Sequence, residues 1–292
     1  MTVIVGVGPH TSDSVVLLAN RLAAAGQQIV LCGVVLDTWE GPSLATGLDP
    51  QWRRGLIDSM EETLHQRREA FTDPENVTTT VRVGSSVPAE LLAEAEERRA
   101  DVLVIASSRR AAFGRVSLGS ISDQLVHSAG LPIAVTPNDY VATSADTIQR
   151  LVLGVQPSDA QIAAEEAIAF ARAINVPVEL VTFSVSPWRE TMHVNEVHFE
   201  GVFNDWNSQI AQCHDDAEAT LGAAGVEVTG KKRVDAHRWA QALAEFDWRD
   251  GDMLAVCSSR RGPVARVFLG STAARMLRHS PVPAVVLPRG PH

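Results

Sequence analysis

The sequence predicts an α/β protein made of two tandem copies of one domain, each a parallel sheet covered by helices on both faces. Three observations predict it. The stretch Asp101 to Pro137, DVLVIASSRRAAFGRVSLGSISDQLVHSAGLPIAVTP, returns as Asp252 to Pro288, DMLAVCSSRRGPVARVFLGSTAARMLRHSPVPAVVLP, and the two align without a gap, which marks an internal duplication. Short apolar, β-branched runs alternate with segments of helical period through both halves, the order expected of βαβ units. The inner runs are apolar on consecutive residues, as strands buried on both faces are.

In the first half, Val3 to Val7 reads as a β-branched strand, followed by Val15, Val16, Leu18, Ala19 and Leu22 at helical spacing as far as Gly26. Gln28 to Leu36 is the second strand, Gln51 to Phe71 a charged helix, and Val77 to Val83 a strand alternating Thr and Val. Pro88 opens the next helix, where the first N–H groups lack intrahelical partners and proline costs nothing, and the helix ends near Arg99. Asp101 to Ala106 is an apolar fourth strand, Ser120 to Ala129 a short helix, and Leu131 to Thr136 the fifth strand. The second half repeats this order. Its strands are Leu151 to Val155, Val178 to Phe183, Val226 to Val234, Asp252 to Cys257 and Pro283 to Leu287. Its helices are Pro157 to Ala173, the region Val194 to Ala224, Ala236 to Trp248 and Gly270 to His279. Asn138 to Gln149 is polar with little to bury, a linker between domains expected at residues 1–137 and 150–292.

A length of 292 residues suits two domains of about 150 residues, each able to bury its own core. The formal charge of −10 repels phosphate backbones and anionic membrane surfaces, so neither nucleic acid nor membrane is an expected partner. No apolar stretch approaches the length of a membrane span, and Met1 leads into the strand-like Thr2 to Val7 without a basic n-region or cleavage site. A cytoplasmic location is expected. Cys32, Cys213 and Cys257 are odd in number and lack a CxxC spacing; they read as small core residues, with no disulfide or zinc site.

Each copy places a Ser-Ser-Arg-Arg loop after its fourth strand, then a Leu-Gly-Ser step into a helix. Open α/β sheets bind small ligands at such strand ends. The N–H groups of a helix's first turn are free either to be capped or to hold an anion, so Gly119-Ser120 and Gly270-Ser271 are candidates for both roles.

Taken together, these segments resemble the universal stress protein family in its tandem form, over nearly the whole chain and most closely from the fourth strand to the fifth. The resemblance implies two Rossmann-like domains, akin to the adenine nucleotide alpha hydrolases, each a five-stranded parallel sheet of order 3-2-1-4-5. It also implies edge-to-edge pairing of the fifth strands, here Leu131 to Thr136 with Pro283 to Leu287 within one chain, which covers two sheet edges. Nucleotide-binding members carry Gly, two residues, Gly, nine residues, Gly, then Ser or Thr. On this chain the pattern falls on Ala106, Arg109, Gly119 and Ser120, with Ser107 beside them, and on Cys257, Arg260, Gly270 and Ser271, with Ser258 and Thr272 beside them. Only the last third survives. The acidic residue that usually ends the first strand is Gly8 here and Gln156 in the second half.

Both copies share these departures. Arg109, Arg110, Arg260 and Arg261 offer planar forks suited to phosphate or carboxylate; the alternatives are that they are solvated loop residues, or that their bulk fills the pocket. Arg115 and Arg266 read as solvated or as salt-bridging between the domains. Trp39, Trp188, Trp52 and Trp206 recur after the second strands and suit packing better than an adenine site. His193, His198 and His214 lack the spacing of a metal site, and His10 and Asp13 are surface loop residues. No GxSxG, GxxxxGK[ST], HExxH, HxGH or SGGxDS motif is present.

The family resemblance therefore implies a non-enzymatic cytosolic adaptor in a stress response, with a degenerate nucleotide loop. The alternative is a sensor of ATP or another phosphate ligand at Gly119-Ser120 and Gly270-Ser271. Association into a homodimer and the identity of protein partners stay open at this point.

Overall fold

The structure is a computed structural model that describes residues 1–23, 27–37, 50–108, 114–138, 140–141, 146–186, 200–258 and 269–288. The first half runs β1 (Thr2–Val7), α1 (Ser14–Leu22), β2 (Gln28–Leu36), α2 (Pro50–Arg68), β3 (Val77–Gly84), α3 (Val87–Glu97), β4 (Val102–Ala106), α4 (Ser120–Ser128) and β5 (Ile133–Thr136). The second runs β6 (Arg150–Gly154), α5 (Ala160–Ile174), β7 (Val178–Val185), α6 (Glu200–Ala223), β8 (Val228–Ala236), α7 (Trp239–Glu245), β9 (Asp252–Cys257), α8 (Ser271–His279) and β10 (Ala284–Leu287).

The strands form one sheet in the order β3-β2-β1-β4-β5-β10-β9-β6-β7-β8. All neighbours are parallel except β5 and β10, which run antiparallel with Val135 opposite Ala284 and Ile133 opposite Val286. The physics of the apolar runs explains the interior positions: Val102, Leu103 and Val104 of β4, like Val3, Ile4 and Val5 of β1, are fully buried, because helices cover both faces of a parallel sheet. The sheet edges are more polar. β8 exposes part of Lys231, Lys232 and Arg233, a charge pattern that discourages further strand pairing.

Helix ends obey local rules. Pro88 sits in the first turn of α3, where its missing N–H is not needed. Asn175 ends α5 with φ 54°, a left-handed conformation that asparagine tolerates.

Two expectations need correction. The helix expected over Ala236 to Trp248 is shorter, because Ala236 pairs with Val185 as the end of β8. At the other end, Phe246 and Trp248 leave the helix to pack against each other, with ring centroids 4.7 Å apart and planes tilted by 58°, and Trp248 Nε1 donates to Leu243 O at 2.6 Å. The linker also buries more than its composition suggests. Ile148 is 4% exposed and donates its N–H to Arg21 O at 3.0 Å. The buried Arg21 guanidinium binds the Tyr140 hydroxyl and Asp250 Oδ1 at 3.0 Å, tying helix α1, the linker and the second half together. Among the described residues no helix is long and apolar enough to cross a membrane.

Candidate functional site

A cleft of about 370 Å³ opens at the carboxyl ends of β1, β2 and β4 in the first half. Its floor is apolar: Gly6, Cys32, Val34, Leu91 and Ile105 face it from three strands and α3. Alternation along a strand puts Cys32 and Val34 on the same face, and the parallel pairing of Gly6 with Cys32 brings β1 alongside.

The rim is polar and tightly self-bonded. After β1, Thr11 closes a turn by donating its N–H to Gly8 O at 3.0 Å, while Gly8 N–H donates to Thr11 Oγ1 at 2.7 Å. Arg67 of α2 holds that turn through Thr11 O at 2.5 Å and pairs with Asp13. After β4, Ser107 Oγ accepts from Ser117 N–H at 2.6 Å and donates to Ser117 O at 3.0 Å. Ser108 N–H also donates to Ser117 O, at 2.7 Å. Residues 107–108 and 117 thus clip the neck of the loop between β4 and α4.

That clip aims the N-terminus of α4 at the cleft. Gly119 is its N-cap, and Ser122 Oγ accepts the Gly119 N–H at 2.7 Å while donating to Gly119 O at 3.2 Å. Ser120, Ile121 and Ser122, the first residues of α4, line the rim. Backbone N–H groups at such a position, with the positive end of the helix dipole, favour an anionic group.

Of the residues singled out by sequence, Ala106, Ser107, Gly119 and Ser120 come together around this cleft. Arg109 and Arg110 lie outside the described residues, as do Arg260, Arg261, Arg266, Trp39, Trp188, His193 and His198. In the second half, Gly270 is the N-cap of α8, with exposed Ser271 and half-buried Thr272 in its first turn. Cys257 ends β9 with Sγ 3.7 Å from Ala163 O. Ser258 is buried, its N–H donating to Leu287 O at 3.0 Å.

Arg115 is half-buried and donates to His279 O at the end of α8, a contact between the halves. A second such contact runs from Leu269 N–H to His127 Nδ1 at 3.3 Å. Trp206 packs half-buried with Nε1 3.4 Å from Ser184 Oγ, whereas Trp52 is 52% exposed. His10 lines the cleft.

Sequence reasoning missed the floor. Cys32, Val34, Leu91 and Ile105 carry no motif, and a run apolar on both faces does not say which face meets a cavity. Burial pushes the Cys32 thiol up to about 12, with the Glu94 carboxylate adding to it, so it is a packing group rather than a thiolate nucleophile. No cluster of metal-ligating side chains occurs among the described residues.

A model described as the Universal stress protein family matches residues 1–137 and 147–288. A universal stress protein of Mycobacterium tuberculosis (strain H37Rv) is 33% identical over 297 residues, covering 99% of this chain and 100% of that protein. Another from Mycolicibacterium smegmatis is 26% identical over 269 residues, covering 88% of this chain and 85% of that protein. Among solved structures, a universal stress protein from Archaeoglobus fulgidus DSM 4304 superposes with a TM-score of 0.60 at 17% identity, covering 99% of this chain and 96% of that one.

Proposed function

The chain belongs to the universal stress protein family, and from that premise we propose that it is a non-enzymatic cytoplasmic stress-response protein that senses a phosphate-bearing ligand of nucleotide size, such as ATP, in its first half. One observation carries the reading: the cleft joins an apolar floor to a helix N-terminus at its rim. The floor of Cys32, Val34, Leu91 and Ile105 suits a flat heteroaromatic ring, and the first turn of α4 suits a phosphate. The antiparallel β5–β10 pairing supports reading the chain as an intramolecular pseudo-dimer.

A second reading, an adaptor without ligand, is favoured by two backbone donors that the protein already uses. Gly8 N–H is taken by Thr11 Oγ1 and Gly119 N–H by Ser122 Oγ. Titrating ATP against thermal stability separates the two. ATP at about 100 times its Kd should stabilise the chain by about 2.7 kcal/mol, and mass analysis of material released by heat should find a nucleotide-sized compound. No shift at millimolar ATP, with nothing released, would leave the adaptor standing.

A further inference from the structure

The two halves do not present the same surface at the ligand end of the sheet. In the first half Gly6 lies beside Cys32, and in the second Gly154 lies beside Val181. Two residues further along each strand, on the same face, stand Val34 and Phe183. The third strands end at Gly84, beside Leu36, and at Ala236, beside Val185. The helices that follow open on Val87 and Trp239. Trp239 therefore stands where Val87 lines the first cleft, and Phe183 stands where Val34 does.

Both are larger side chains than their counterparts, and both pack inward. Phe183 is 2% exposed and meets Phe246 edge-on, with centroids 6.0 Å apart. Trp239 packs against the same cluster. From the other side α8 sends Met276 over Gly154, where an added Cβ would lie 2.8 Å from its sulfur. At Gly6 an added Cβ would instead meet Leu91 first, at 3.2 Å, and Leu125, the counterpart of Met276 in the repeat, is not among its closest neighbours.

We propose that Phe183 and Trp239, with Met276 behind them, close the second half to ligand, so that the chain binds one ligand per molecule and uses the second half as packed scaffold. The count of one rests on the ligand reading above, whereas the closure does not. Close-packed interiors leave no room for a second molecule, and exchanging either aromatic ring for valine would open an apolar void of the kind that takes up xenon.

Two measurements on the full chain test this in wild type, W239V and F183V/W239V: the number of ATP sites by calorimetry, and xenon uptake by 129Xe NMR. The expected result is one ATP per wild-type chain, two in the double variant, and a xenon site in the double variant that wild type lacks. Two ATP per wild-type chain would overturn the proposal. So would a double variant that gains the xenon site yet still binds a single ATP, because the rings would then not be what excludes it. If no form binds ATP, the ligand reading fails, and xenon alone decides: a new site upholds the closure, and none overturns it. W239V, at a half-buried position, supplies the same readings should the double variant fail to fold.

Discussion

At the scale of single residues, His214 shows how a buried group sets a pH limit. Thr182 Oγ1 donates its one proton to Val155 O at 3.0 Å, so the 2.9 Å contact with His214 has Nε2–H as donor. Burial, reinforced by the Lys231 ammonium, holds the imidazole pKa below its ordinary value. An unfolded chain titrates its histidines near about 6.5, so below that pH it binds more protons than the folded one and stability falls with pH. His279 adds to this in the same direction, its pKa lowered by burial and by Arg115 and Arg278. The urea midpoint should therefore drop between about pH 7.5 and about pH 5.5, and drop less in His214→Gln; an equal drop in both would contradict the assignment. The site was partly legible at this scale. Ala106, Ser107, Gly119 and Ser120 stood out because the repeat and the Gly-Ser step mark a strand end and a helix start. The clip from Ser107 to Ser117 did not, since a serine's bonding partner across a loop leaves no periodic trace.

At the scale of elements, strands were read more accurately than helices, because a continuous apolar run ends where burial ends. Asp252–Cys257 and Gln28–Leu36 are the same in sequence and structure. Helix α7 was overextended because Ala236 and Trp248 fit a helical period while serving a strand and a tilted aromatic pair. One element depends on charge instead. Arg150 opens β6, 4% exposed, with Nε 2.8 Å from Asp252 Oδ1, a second bond from Nη2 to Asp252 Oδ2, and a further pair with Glu179 of β7. Lys232 of β8 reaches the same Glu179 at 3.2 Å. Breaking such a buried cluster leaves carboxylates uncompensated in a poor solvent, at a cost of about 3–5 kcal/mol. Arg150→Ala should lose about that much in urea unfolding, most of it recovered in a variant that also carries Glu179→Gln and Asp252→Asn. A loss under about 1 kcal/mol would mean that Lys232 and water compensate the carboxylates.

At the scale of the whole molecule, the duplication was plain in the sequence, but the inequality of its halves was not. Phe183 and Trp239 lie outside the repeated segment, so comparing Asp101–Pro137 with Asp252–Pro288 could not reveal them. The sheet that joins the halves has a thermodynamic consequence. Val285 is fully buried opposite Ala134 across the antiparallel seam, and one apolar cluster runs from Val3 in the first half to Leu287 in the second. Neither half can expose its side of the seam without stripping the other of buried area, so the wild-type chain should unfold in a single calorimetric transition, with calorimetric and van't Hoff enthalpies equal. Val285→Asp buries an unpaired carboxylate in that seam and should weaken the junction by several kcal/mol. The expected calorimetric trace is then two transitions, the lower one belonging to the second half that carries the substitution. Two transitions in the wild-type chain would show that the strands meet without coupling the folds.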